Sequence, residues 1–233
     1  MPTTHAPKRM TKHDLKTDAF TTSIFAAREW VETNLRLALI VAAAVVVVGG
    51  GTWGFVTWRN AQAADAETLF GQGGVEMRSG NMVMAIAQMQ KVLDEHPHAD
   101  VAGMACFQLA QMHFRQRSFD DARVTYRRYI DDYGKDPMLV AAAWAGMGAV
   151  DEQAGSFAEA SQKYDNAVAA DPKGFHTPEY LRVIVRCAIA ANDTTKALAA
   201  LATLEKDFPK DVQNHNIARS SLIEHGFLDP GKS

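Results

Sequence analysis

An all-α chain is predicted, with one membrane-length helix near the N-terminus, about four pairs of antiparallel helices and a closing helix. Three observations carry this reading. Residues 37–58 are 22 positions without an ionisable side chain. The remainder repeats one apolar skeleton every 37 or 38 residues. No segment alternates strongly at period two, the pattern of a half-buried strand. Composition agrees, since 47% hydrophobic and 22% charged residues are globular proportions. A net charge of -3 argues against a chain built to hold nucleic acid, and two cysteines are too few for a disulfide framework or a Cys-rich zinc site.

The charge is unevenly spread. Residues 1–36 carry six Lys/Arg and four Asp/Glu, for a net +2; residues 59–233 carry eighteen and twenty-three, for a net -5. The first dozen residues have no apolar pattern and are expected to be disordered. Phe20, Ile24, Ala27, Val31 and Leu35 then recur at helical spacing, which predicts a juxtamembrane helix completing a tail over 1–36.

The block LALIVAAAVVVVGGGTWGFVTW follows at 37–58. As a helix rising ~1.5 Å per residue it reaches roughly 33 Å, enough to cross a hydrocarbon core of about 30 Å. Arg36 and Arg59 close its ends, and Trp53 and Trp58 stand where an aromatic belt lies. A secretory signal has an apolar stretch of about 7–15 residues behind a short leader, so a spanning helix fits better, although Ala61-Gln62-Ala63 resembles a cleavage site. Six basic residues precede the block, against Arg59 and Arg78 in the twenty that follow. That bias puts the N-terminus in the cytoplasm and the bulk of the chain across the membrane. Gly50 and Gly54 form a G-x-x-x-G pair through which two such helices can approach, the basis for an expected homodimer contact.

Beyond the block, four segments share a polar or glycine break, an alanine, and apolar residues four and seven positions after it. The alanines are Ala85, Ala122, Ala160 and Ala197; their partners are Met89 and Val92, Tyr126 and Tyr129, Tyr164 and Ala167, Leu201 and Leu204. These spacings share one helical face, and a small residue there lets a second helix come close. Pro97, Pro172 and Pro209 fall twelve residues after their alanines, where proline stops a helix; Gly134 takes that place in the second segment. Upstream of each break runs another helical stretch, at 66–78, 103–116, 141–153 and 178–191. Each unit is therefore a helix pair. Residues 213–228 supply a helix that closes the last apolar face.

These residues resemble the tetratricopeptide repeat (TPR) family, whose usual unit is about 34 residues. In the third unit Trp144, Met147, Gly148, Phe157, Ala160, Tyr164, Ala167 and Pro172 occupy signature slots; the second matches at Leu109, Ala110, Phe119, Ala122, Tyr126 and Tyr129. In the first, Gln72 and Glu76 replace apolar signature positions. One span followed by a degenerate array of this kind is similar to the YfgM-like membrane-anchored proteins, ancillary subunits of the SecYEG translocon. That likeness includes the charged start Lys12-His13-Asp14-Leu15-Lys16. It implies a protein-binding scaffold in the bacterial inner membrane, with a periplasmic TPR-like domain engaging the translocon or its chaperones. An accessory or assembly subunit of another large membrane complex is the alternative.

The resemblance also implies a concave groove lined by the first helix of each pair. Mapping its inward positions selects Phe107, Gln111, Phe114, Arg115, Arg182 and Arg186 as peptide-groove residues, suited to a partner with acidic and apolar side chains. Packing of the same apolar residues between repeats is the competing reading. The boundaries that follow are 1–36 for the tail, 37–58 for the span, 59–228 for the repeat domain and 229–233 for a disordered end.

Catalytic patterns are absent from the sequence, and the chain reads as a non-enzyme without cofactor. Neither a phosphate-binding loop nor a dinucleotide fingerprint occurs; Gly71-Gln72-Gly73-Gly74 lies within a helical pattern. His96-Pro97-His98 is the one close histidine pair, with no Cys or carboxylate set beside it in the sequence pattern, so no metal site is expected. A metal-bearing tethered enzyme would have to use those histidines. Cys106 and Cys187 read as small core residues; whether they pair depends on geometry the spacing does not give.

Overall fold

The structure is a computed structural model that describes residues 27–28 and 30–229. Nine α-helices run from Leu35 onward, with no strand among the described residues: α1 (Leu35–Ser79), α2 (Met82–Glu95), α3 (Ala102–Arg115), α4 (Phe119–Arg128), α5 (Pro137–Gln153), α6 (Phe157–Ala170), α7 (Thr177–Ala190), α8 (Thr194–Asp207) and α9 (Val212–Glu224). The first dozen residues, Phe20 and Ile24 of the expected juxtamembrane helix, and 230–233 of the expected disordered end lie outside the described residues. The chain divides into two units, Met1–Asn60 and Ala61–Ser233.

In the first unit, the described residues of α1 are almost wholly exposed. Val45 to Val48, Trp53, Phe55 and Trp58 each show 60% or more of their surface. The polar groups in this stretch are turned back on the helix, with Thr52 and Thr57 hydroxyls donating to the carbonyls of Val48 and Trp53 at 2.8 and 3.0 Å. The helix is long and apolar enough to cross a membrane, and none of its most apolar window is buried.

The second unit is a stack of helix pairs: the remainder of α1 with α2, then α3 with α4, α5 with α6 and α7 with α8, closed by α9. The four aligned alanines have no exposed surface at all, and each apolar residue four or seven positions on is buried. The reason is contact between the two helices of a pair. Twelve positions before each alanine stands Gly73, Ala110, Gly148 or Val185, all buried. A Cβ added at Gly73 would lie 2.7 Å from the Met89 Cε, and one at Gly148 would lie 2.8 Å from the Tyr164 ring. In the first and third pairs, bulky residues of the second helix thus rest on glycines of the first.

Sequence also dictates the turns. Gly80, Arg117, Gly155 and Asn192 adopt left-handed backbone with φ of 84°, 62°, 74° and 58°. After each, the next amide reaches back five residues, as from Ser118 to His113 O at 2.9 Å and from Asp193 to Ala188 O at 2.8 Å. This is the Schellman closure, which satisfies carbonyls that the helix end leaves open. Helices α2, α6 and α8 end two residues before Pro97, Pro172 and Pro209. Where Gly134 takes the proline's place, α4 runs instead into a π-helical turn, Tyr129–Tyr133.

Candidate functional site

The inner positions expected of a peptide groove lie mainly on α3 and α7, and the structure divides them. Phe107 is 7% exposed and packs edge-on against Tyr126 and Tyr129, at ring separations of 6.0 and 5.4 Å. Phe114 is half-buried against Phe119 at 5.7 Å. Both serve the contact between α3 and α4. For Phe107 the expectation of a groove-lining side chain is corrected: the ring falls on the stripe of α3 that faces its pair.

A different stripe of α3 is open. Met104, Gln108, Gln111 and Arg115 recur at helical spacing; Met104 and Arg115 are exposed, and the two glutamines are half-buried. Arg115 makes no ion pair among the described residues. The Gln108 side-chain oxygen is buried without a hydrogen-bond partner there, so this stripe carries one unsatisfied acceptor.

The arginines of α7 are engaged within the fold. Arg186 donates from Nη2 to Glu152 Oε2 of α5 at 2.5 Å, and the Tyr164 hydroxyl donates to Glu152 Oε1 at 2.7 Å. Arg182 Nε donates to Asn214 Oδ1 of α9 at 2.9 Å, with Glu179 3.7 Å from its other end. These contacts join first helices of successive repeats and the closing helix. Burial first, then the Glu152 hydrogen bond, pushes the Tyr164 hydroxyl well above its ordinary value.

Neither cysteine is placed for redox work. Both are buried and unpaired. Burial pushes the Cys106 thiol up to about 11, and burial followed by the Glu152 charge pushes Cys187 up to about 12; such thiols stay protonated and inert near neutrality.

Two features escape the sequence reading. Phe175 is 90% exposed, stacked edge-on with His176, beside a cleft of about 780 Å³ that Lys173, Phe208, Lys210 and Val212 help to line. A lone phenylalanine after Pro-Lys-Gly gives no periodic signal. The second concerns metals. The expectation that no carboxylate set accompanies His96 is corrected, because Glu95 precedes it in the chain and the fold brings Asp65 to both, with one ligand atom of each within 4.8 Å of the others. Thirty-one residues separate Asp65 from His96, so no motif spacing reveals the cluster.

Paired helices with buried alanines, left-handed turns and glycine seats define a stack of the helical-repeat class. Residues 28–177, more than half of the chain, match the family described as tetratricopeptide repeat-like domain, and the chain belongs to that family. Solved structures of the same class are similar in fold. A tetratricopeptide repeat protein from Parabacteroides merdae superposes with a TM-score of 0.55 at 16% identity, over 69% of this chain and 62% of that one; the match thus spans less than two thirds of that protein. YrrB, a TPR protein with an unusual peptide-binding site, gives 0.53 at 12%, over 76% and 84%. MamA from Desulfovibrio magneticus RS-1 gives 0.51 at 13%, over 69% and 93%. At these identities the shared property is the fold. No curated protein matches the sequence.

Proposed function

We propose that this protein is a membrane-anchored scaffold for protein–protein interaction. Residues 37–58 cross the bacterial inner membrane once, the N-terminus is cytoplasmic, and the repeat domain lies in the periplasm as an accessory factor at the Sec translocon or for periplasmic chaperones. The observation that carries the anchoring is the run of exposed valines and tryptophans in α1. A chargeless apolar surface of that extent is stable in hydrocarbon and is a liability in water. Gly50 and Gly54 bear no side chain and nothing lies within 4 Å of their missing Cβ positions, which suits close approach of a second copy's span.

Partner binding is assigned to the open stripe of α3. Arg115 offers a planar fork for a carboxylate, Met104 an adaptable apolar surface, and Gln108 an acceptor that a partner's backbone N–H would satisfy. YrrB, of the same fold, is a peptide binder, which supports this reading. Arg182 and Arg186, already held by Asn214 and Glu152, act instead to brace the groove wall.

Three measurements test the proposal. Protease added to intact spheroplasts digests the repeat domain if it is periplasmic; full protection overturns the orientation. Co-purification from gently solubilised membranes yields translocon subunits or chaperones; recovery of a respiratory, secretory or photosynthetic assembly reassigns the scaffold to that complex. Arg115→Glu combined with Gln111→Ala abolishes partner capture with an unchanged helical spectrum, and undiminished capture removes the α3 stripe from the interface.

A further inference from the structure

We propose that Asp65, Glu95 and His96 form a binding site for a first-row divalent transition-metal ion of the zinc type. The geometry is half assembled. His96 Nε2 lies 3.0 Å from Asp65 Oδ2, close to the edge of about 3.4 Å between ligands at ~2.1 Å around a tetrahedral ion. Glu95 brings its carboxylate to the same place, all three ligand atoms lying within 4.8 Å of one another. A side-chain rotation of the exposed Glu95 closes the set.

Position favours a cation there. Glu95 ends α2 and His96 caps it, so the open carbonyls of the helix C-terminus add partial negative charge. A metal-ligating imidazole is neutral, which leaves two carboxylates, with Lys91 Nζ 3.8 Å from Glu95 Oε2 as the one ion pair to a lysine or arginine that either makes among the described residues. The imidazole is also held in place. Its side chain is 6% exposed, whereas those of Asp65 and Glu95 are 61% and 49% exposed. The loop that carries it is fixed by His96 N–H to Val92 O at 2.9 Å, Ala99 N–H to His96 O at 3.0 Å and the Tyr133 hydroxyl to Pro97 O at 3.1 Å. A buried, ordered nitrogen beside two accessible carboxylates leaves positions for water and a path for the ion. One imidazole with two carboxylates suits zinc and its neighbours; calcium, which takes six to eight oxygens, finds too few. The ion would tie α1 at Asp65 to the end of α2 and so brace the first repeat, the one whose Gln72 and Glu76 depart from the apolar pattern.

Titration of the purified, chelator-stripped full chain in detergent with zinc chloride tests this. One saturable equivalent per chain is expected. Asp65→Asn and Glu95→Gln, at exposed side chains on which folding does not rest, each weaken it about tenfold or more, the least that loss of even an outer-shell partner costs. His98→Asn leaves it intact, calcium chloride gives no such equivalent, and zinc raises the thermal midpoint of the wild type but not of Asp65→Asn. Absence of a saturable equivalent, or wild-type affinity in both carboxylate variants, overturns the site.

Discussion

Arg117 and Asn192 hold left-handed backbone at turns where Gly80 and Gly155 do the same work. The slot lies five residues before each buried alanine, and the five-residue backward hydrogen bond forms at all four. A Cβ-bearing residue in this conformation costs roughly 1–2 kcal/mol, so Arg117→Gly is expected to stabilise the domain by up to about 1 kcal/mol after the added chain entropy of glycine. Urea denaturation of the two proteins checks it; a destabilised variant would mean that Arg117 earns its place by contacts instead. The opposite effect is expected at Gly148, where a Cβ meets the Tyr164 ring at 2.8 Å. Tyr164 is pinned through its hydroxyl by Glu152, so it cannot swing aside freely. Gly148→Ala should lower the denaturation midpoint and break the Tyr164–Glu152 bond, which a shift in tyrosine absorbance reports. The repeat skeleton placed glycine at 148 as a signature slot, but only the structure supplies the ring seated on it.

Among elements, the contact surface between paired helices is set by the alanines at 85, 122, 160 and 197, each with no exposed surface. An extra isopropyl group has nowhere to go, and overpacking of a tight core costs typically about 1–3 kcal/mol. Ala160→Leu is therefore expected to destabilise by that amount, read from the denaturation curve, while the same change at exposed Ala158 should be nearly neutral. Period and burial coincide here because each helix pair is held by short-range contacts that the sequence writes out every 37 or 38 residues. The groove shows the contrary case. Phe107 and Phe114 sit one stripe away from Gln111 and Arg115 on the same helix, and four inward-facing residues look alike in a sequence. Which stripe faces α4 is decided by how Tyr126 and Tyr129 pack, and those aromatic contacts claimed Phe107 for the core. The arginines at 182 and 186 were likewise legible as charged inner residues, whereas their partners Asn214 and Glu152 lie 32 and 34 positions away.

For the molecule as a whole, the buried thiols make stability depend on alkaline pH. Cys106 and Cys187 titrate near 9 in an unfolded chain but are raised to about 11 and about 12 in the folded one, by burial above all. The folded state therefore holds more protons than the unfolded state between those values. The thiol contribution is complete below pH 9 and is lost as pH climbs through the folded values, at roughly 1.4 kcal/mol per pH unit per thiol. Denaturation midpoints measured at pH 8.5, 9.5 and 10 should fall with pH, and the Cys106→Ala, Cys187→Ala double variant should fall less steeply, keeping only the slope of buried tyrosines such as Tyr126 and Tyr164, which burial also raises. A wild-type protein equally stable at pH 8.5 and 10 would contradict it. Burial of both thiols was expected because a free cysteine reads as a small core residue; their separation into two cores, one around α3 and the other around α7, was not legible.

Local chemistry alone settled the helical class, the repeat length, the turns and the chargeless stretch near the N-terminus, because each follows from contacts within about a dozen neighbours along the chain. Tertiary structure decided which stripe of α3 meets its pair, that Asn214 and Glu152 hold the arginines of α7, and that Asp65 meets Glu95 and His96. Those outcomes join residues from different helices, and their register depends on how side chains of unlike size fill the space between helices, a quantity no spacing along the chain records.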